Sequence, residues 1–227
     1  MLELLGSDLQ IEHLLATPAF VAALPARARP PGLKTRVEIS EASEDELTQL
    51  GTLQTNAAAL AVVRRPPEIA LPAALPATRL LLALDGVADP GNLGTLWRLA
   101  DWYGLPGLVL SESCADPFNP KAVAASMGAF ARVPVWPARE LPVWLSSLGE
   151  ETHIYGADLE GENVHRLALQ PVGVLVMGSE SHGLSPEVSA CVTSSLHIPR
   201  GPGGRAESLN VAVSAAILLD NFFRNVG

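Results

Sequence analysis

From residue 80 onward, short apolar runs alternate with helical stretches, and this alternation limits the possible folds more than any other feature. Residues 80–84, 107–110, 133–136, 153–156, 172–177 and 196–198 read as short strands, several apolar throughout. Between them, 93–103, 119–130, 138–148 and 184–190 carry helical periodicity, and 208–223 follows as a long final helix. Short buried strands joined through helices cannot form hairpins; they predict an α/β fold, a mainly parallel sheet with helices on both faces. In such a sheet ligands gather at the carboxyl ends of the strands.

The first 66 residues have a different texture. Pieces at 11–15, 35–39, 44–53 and 57–63 read as strand or helix, strand, helix and strand. Ser43 with Glu46 three residues later is a helix start of the capping-box type. Residues 25–32, P-A-R-A-R-P-P-G, form a stiff basic loop. Four prolines between 64 and 79 forbid a regular helix or central strand there. The expected organisation is a small first domain over 1–66, a Pro-rich linker over 67–79 and a second domain over 80–227.

Composition removes several classes. At 48% hydrophobic and 17% charged residues, global disorder is excluded. Cys114 and Cys191 alone cannot frame a disulfide scaffold, and reduced thiols suit a cytoplasmic protein. No apolar run is long enough to span a membrane, and the start lacks the basic region of a signal peptide. A net charge of −9 argues against bulk attraction to nucleic acid but leaves room for a local basic cluster. Lys34 and Lys121 are the only lysines; the remaining basic residues are arginines, which can fork onto phosphate or stack on bases, or can reflect genome composition.

Three loops carry the polar chemistry. The first, 85–94, leads into Thr95-Leu96-Trp97-Arg98. Asn92 can cap the helix, Gly94 permits a close backbone approach, and Arg98, six residues after Asn92, can reach back toward the loop. The plainer reading is a capped helix with one solvated arginine. The second, M-G-S-E-S-H-G-L over 177–184, brackets Glu180 and His182 with glycines, without phosphate-loop spacing or a metal-ligand pattern, so no metal is expected. The third, 198–210, is a Gly-rich stretch opening the last helix, with Glu207 or Ser208 near its amino end.

Taken together and in this order, the loops resemble the SpoU/TrmH family of SPOUT RNA 2′-O-ribose methyltransferases. The family's first motif is similar to D-P-G-N-L-G-T-L-W-R-L-A, from Asp89 to Ala100. The second is similar to V-M-G-S-E-S-H-G-L-S, from Val176 to Ser185, and the third to I-P-R…E-S-L-N-V-A-V-S-A-A, from Ile198 to Ala216. The first region is similar to the L30e-like substrate-binding domain of some members, through Ile39-Ser40-Glu41, Leu47 to Leu50, Thr55 and Ala61-Val62-Val63, and the expectation from this match is an incomplete domain without that fold's usual first strand and helix.

The resemblance implies a C-terminal deep trefoil knot, an S-adenosylmethionine site in the knotted loops, and a homodimer with its active site near the subunit interface. It implies that Gly178, Ile198 and Leu209, flanked by Met177 and Gly183, hold the methyl donor. Arg98 matches the catalytic arginine, Asn92 its supporting residue, Glu180 the acid of the second motif, and Ser208 and Asn210 the polar pair of the third. Ser181 departs from the family, standing where glycine is common, and the loop 200–207 is longer than usual. Arg200 and Arg205 in that loop, and Arg27, Arg29, Lys34 and Arg36 in the first region, are candidate RNA contacts. Arg64, Arg65, Lys121 and Arg132 are further candidates, and ribosomal RNA is favoured over transfer RNA.

The implied chemistry is in-line attack of a ribose 2′-hydroxyl on a sulfonium methyl. Arg98 either shuttles the proton in the complex or stays charged and stabilises the developing alkoxide. Two other classes compete. One is a SPOUT-like RNA-binding protein without methyl transfer, disfavoured by the intact Arg98, Glu180 and Asn210. The other is a dinucleotide oxidoreductase, disfavoured because no G-x-G-x-x-G follows the first strand of the α/β region.

Overall fold

The computed structural model describes residues 1–24, 38–51, 55–73 and 79–224. It divides into two compact units, Met1–Pro67 and Glu68–Gly227.

The first unit is built on a three-stranded sheet. Strand β1 (Ile11–Ala16) lies centrally, parallel to β2 (Glu38–Glu41) and antiparallel to β3 (Ala59–Val63). Two short helices that the sequence pattern did not signal, α1 (Leu2–Leu5) and α2 (Pro18–Ala23), flank β1 in sequence. Thr17 accepts from the Phe20 amide to cap α2, with Pro18 in the first turn. Helix α3 (Glu44–Leu50) begins at the expected capping box: Ser43 Oγ accepts from the Glu46 amide while Glu46 Oε2 accepts from the Ser43 amide. Leu14 and Leu47 are fully buried at the centre of this unit.

The second unit is a six-stranded, wholly parallel sheet in the order β6-β5-β4-β8-β7-β9. Strand β4 (Leu80–Asp85) is at its heart and is buried at every position. The alternation of a strand's side chains explains its composition. Leu80, Leu82 and Leu84 join one core with helix α4 (Pro90–Trp102) and helix α8 (Val211–Phe223). Leu81 and Ala83 join a second core, on the other face, with helices α6 (Leu141–Ser147) and α7 (Pro186–Ser189). A strand covered on both sides must be apolar throughout. Leu71 also packs on this second core, and Trp144 Nε1 donates to the Pro72 carbonyl at 3.0 Å.

From β4 the chain runs outward through β5 (Leu108–Ser111) to β6 (Val135–Ala138). It then returns through β7 (Ile154–Asn163) to β8 (Gly173–Gly178), which pairs with β4, and ends at the edge with β9 (Ser194–His197). The direction of winding therefore switches between β4 and β8, where open α/β sheets form a crevice at their carboxyl ends.

Several expected boundaries move for identifiable reasons. Helix α4 starts at Pro90, because Asp89 rather than Asn92 caps it, accepting from the Asn92 amide at 2.9 Å. The expected helix 119–130 ends early as α5 (Pro120–Ala125), since Met127 and Gly128 take positive φ; a 3-10 turn, Ala129–Ala131, follows. Strand β7 runs past Gly156 to Asn163, after a register break between Ala157 and Glu162 that hydrophobicity could not reveal in an acidic segment. Helix α7 waits for Pro186 at its first turn. Helix α8 starts at Val211, capped by Asn210 rather than by Ser208 or Glu207.

Candidate active site

Each of the three polar loops leaves the carboxyl end of a strand on this sheet, after β4, β8 and β9. The first enters α4. Asp89 Oδ1 accepts from the Asn92 amide, and its Oδ2 accepts from Lys121 Nζ at 2.8 Å. The Lys121 ammonium, followed by the Asn92 amide, holds the Asp89 carboxyl below the usual carboxylate range. Gly94 sits where a Cβ would stand 2.3 Å from the Ala122 carbonyl oxygen, so glycine there is what allows α4 and α5 to approach. Trp97, on the buried side of α4, donates Nε1 to the Val133 carbonyl and fixes the helix's rotation.

The second loop is a closed turn. Ser179 and Gly183 exchange reciprocal backbone hydrogen bonds of 2.9 Å, and Ser179 Oγ accepts from the His182 amide. Gly183 takes φ +69°, the left-handed conformation that closes the turn. The third loop is exposed from Arg200 to Asn210.

Asparagine side chains tie the loops together. Asn210 Nδ2 donates to Asn92 Oδ1 at 2.9 Å, and Asn92 Nδ2 donates to Glu180 Oε1. Asn210 Oδ1 is meanwhile committed to the amides of Ala212 and Val213. This fixes the direction of every bond in the chain: with its oxygen bound as a helix cap, Asn210 can only donate to Asn92. The Asn92 amide then has to present its nitrogen to Glu180. One residue from each motif therefore meets at the switch point.

The remaining predicted residues are placed less tightly. Arg98 is exposed on the α4 face that also carries Gly91, Thr95 and Trp102. Ser208 is exposed beside Leu209, which is 46% exposed. Met177 is buried in the core, Gly178 ends β8, and Ile198 packs partly against the first core. Arg200 Nη2 donates to the Glu207 carbonyl at 3.5 Å, and Arg205 is exposed. Arg27, Arg29, Lys34 and Arg36 lie outside the described residues. Three of the further basic candidates are paired with acids: Arg64 with Glu12, Lys121 with Asp89 and Arg132 with Asp101, at 2.8, 2.8 and 2.7 Å. Among the described residues no cluster suits a metal. Burial pushes the Cys114 thiol up, away from the thiolate form.

Sequence reading passed over Asp89. Asp followed by Pro at the first helical position is a cap signal, stronger than Asn92 three residues inside. Asp89→Ala is expected to cost about 1 kcal/mol in urea unfolding, and Lys121→Ala less, because an exposed ion pair is worth only a few tenths. The carboxyl is depressed in the folded state, so its contribution is complete above the ordinary value of 3.8 and disappears as pH falls through the lowered one. The gap between native protein and Asp89→Ala should thus be the same at pH 7 and pH 5 and close only in stronger acid.

Fold and loops together define the class: an α/β protein in which three polar loops converge at the carboxyl edge of a parallel sheet. The sequence matches the SpoU rRNA methylase family over residues 79–220. It is 33% identical over 214 residues to the 23S rRNA (guanosine(2553)-2′-O)-methyltransferase RlmP of Bacillus subtilis, an overlap of 92% of this chain and 83% of that protein. It spans a smaller share, 53%, of an uncharacterised Synechocystis tRNA/rRNA methyltransferase to which it is 34% identical over 150 residues. Among solved structures, a TrmH-family protein from Porphyromonas gingivalis superposes with a TM-score of 0.81 at 36% identity, covering 98% of this chain and 85% of that one. The methyltransferase AviRb from Streptomyces viridochromogenes, solved with AdoMet, superposes at 0.78 with 26% identity and the same coverage. The chain belongs to the SpoU family, whose members are S-adenosylmethionine-dependent RNA 2′-O-ribose methyltransferases.

Proposed function

We propose that Arg98 and the Asn210–Asn92–Glu180 chain form the site at which this protein methylates a ribose 2′-hydroxyl, in ribosomal RNA rather than transfer RNA. The observation that carries this reading is the hydrogen-bonded convergence of one side chain from each of three loops at the switch point. The RNA class follows from the similarity to the 23S rRNA enzyme over 92% of the chain.

The loops suit an adenosyl ligand. They offer backbone groups and apolar surface on Ile198 and on the half-exposed Leu209. Met177, Gly178, Gly183, Ile198 and Leu209 would hold S-adenosylmethionine, which supplies a methyl group already activated on sulfur. The protein's own task is then alignment and charge. Asn92, held at both ends, keeps Glu180 Oε1 occupied and leaves Oε2 to accept from the incoming nucleotide. Guanidinium groups stay protonated in proteins, so Arg98 acts as a fixed positive charge toward the alkoxide that develops on the 2′-oxygen. The proton leaves to water or a neighbouring phosphate. Arg98 lies six residues along α4 from Asn92, about 9 Å of helix rise, on the exposed face of the helix. Ser208, exposed in the third loop, would face the same nucleotide.

The family's trefoil knot and homodimer belong to this reading. The support for a dimer is two exposed apolar side chains, Trp102 on α4 at 82% and Val213 on α8 at 48%, on helices that share one core. Residues 1–66 would present RNA to the catalytic domain, residues 80–227, with 67–79 as the linker. Arg200, Arg205 and the basic residues between 27 and 36 would meet phosphate. A cytoplasmic location fits, and among the described residues no helix is long and apolar enough to cross a membrane.

The test is incubation with radiolabelled S-adenosylmethionine and unmodified total RNA, followed by size separation and nuclease mapping. Label on a ribose of ribosomal RNA is the expected result. Label confined to transfer RNA overturns the substrate, and label on a base overturns the chemistry.

A further inference from the structure

We infer that Asp85 is a positioning residue for the methyl-donor loop, one that none of the three motifs contains. It rests on the site proposed above.

Asp85 is the last residue of β4 and pairs directly with Gly178, the last residue of β8. It is only 7% exposed, an unusual setting for a carboxylate at the end of an apolar strand. Its Oδ2 accepts from the Ser185 amide at 2.7 Å, across a hundred residues of sequence. Ser185 immediately follows the second-motif turn and precedes α7.

The turn from Ser179 to Gly183 is locked internally by its own backbone pair, so it can move only as a body. Such a body is fixed in space by its attachments: β8 through Gly178, the Asn92–Glu180 bond, Leu184 against the second core, and the Asp85–Ser185 bond. Asp85 is the polar tie at the outgoing end of the turn; without it that end loosens, straining the Asn92–Glu180 bond and shifting the backbone around Gly178 from the donor. A charged acceptor suits this task, because hydrogen bonds to ionised groups are the stronger ones. The strand end is also held from the other side: the next residue, Gly86, donates its amide to Ser111 Oγ at 2.9 Å. Asp85 is thus a fixed post to which the loop is tied.

The experiment compares Asp85→Ala and Asp85→Asn with the native protein in three readouts: calorimetric affinity for S-adenosylmethionine, steady-state kinetics, and amide exchange of residues 179–185 in the free protein. Asp85→Ala is expected to weaken donor binding and raise its KM roughly 10- to 100-fold, the range for a lost charge-assisted bond. The KM for RNA should rise less than the KM for the donor, through Glu180 alone, and exchange should accelerate at 179–185. Asp85→Asn keeps an acceptor oxygen and should recover most of the affinity. A variant that loses only active fraction, with an unchanged donor KM and unchanged exchange in the loop, assigns Asp85 to general stability and overturns the inference. Should Asp85→Ala fail to fold, Asp85→Asn with native exchange at the Ser185 amide but weakened donor binding overturns it equally. If the native protein transfers no methyl group, the proposed function fails instead, while exchange in the loop still judges the tie.

Discussion

Arg98→Ala should lower kcat by roughly 10³-fold, the range for removing a group that stabilises charge or moves a proton in the transition state. Affinity for S-adenosylmethionine should stay close to native, because Arg98 belongs to the first loop's helix and not to the residues assigned to the donor. The experiment is unusually clean. Arg98 is exposed, so its loss should shift stability by no more than about 0.5 kcal/mol. A drop in turnover therefore reads as chemistry rather than unfolding. Arg98→Lys adds a second discrimination. Lysine keeps the charge but loses the planar fork. Partial activity in that variant supports a charge acting on the alkoxide; activity as low as in the alanine variant supports a bidentate grip on RNA phosphate. Near-native turnover in Arg98→Ala removes the residue from the site altogether.

How much of this was readable in the chain depends on the range of the interaction involved. The fully apolar run at 80–84 announced a strand buried on both faces, and the cores on either side of β4 are the direct consequence. Ser43 with Glu46 announced a helix start, because both partners of a capping box lie within four residues. The site was legible only as three separate loops. The Asn92–Glu180 and Asn92–Asn210 bonds span 88 and 118 residues, and no local pattern encodes a pairing at that distance. Resemblance named the residues; geometry supplied their order and the direction of each bond. The same limit hid Asp85, which looks like the first polar residue of a turn until Ser185 is placed against it. It also hid the acids that three basic candidates face at 2.7–2.8 Å. Helix α1 and helix α2 were missed for a different reason: four and six residues are too few to show a period.

Gly178→Ala tests the donor loop from its attachment to β8, and its expected effect is nearly as large. A Cβ at this position would stand 2.2 Å from the Gly183 carbonyl carbon, 2.4 Å from its oxygen and 2.5 Å from the Leu184 nitrogen. All three are backbone atoms, so no rotamer change relieves the conflict. The turn must lift away from β8, and because it is closed by the Ser179–Gly183 pair it lifts as a unit. Glu180 then leaves Asn92, and the Ser185 amide is pulled from Asp85. Overpacking of this kind costs about 1–3 kcal/mol, which, if borne by the donor-binding conformation, weakens S-adenosylmethionine roughly 10- to 100-fold. Gly183→Ala is the comparison: Gly183 is assigned to the donor through its backbone alone, which alanine keeps. Its Cβ would meet nothing within 4 Å, and only its positive φ of 69° opposes the substitution, at about 1–2 kcal/mol. It should therefore lower stability by a similar amount while leaving the turn against β8, with donor affinity reduced far less than in Gly178→Ala. The contrast separates position from stability. If both variants bind the donor alike, the close approach of the turn to Gly178 does not shape the site, and the cradle assigned to the carboxyl end of β8 is wrong.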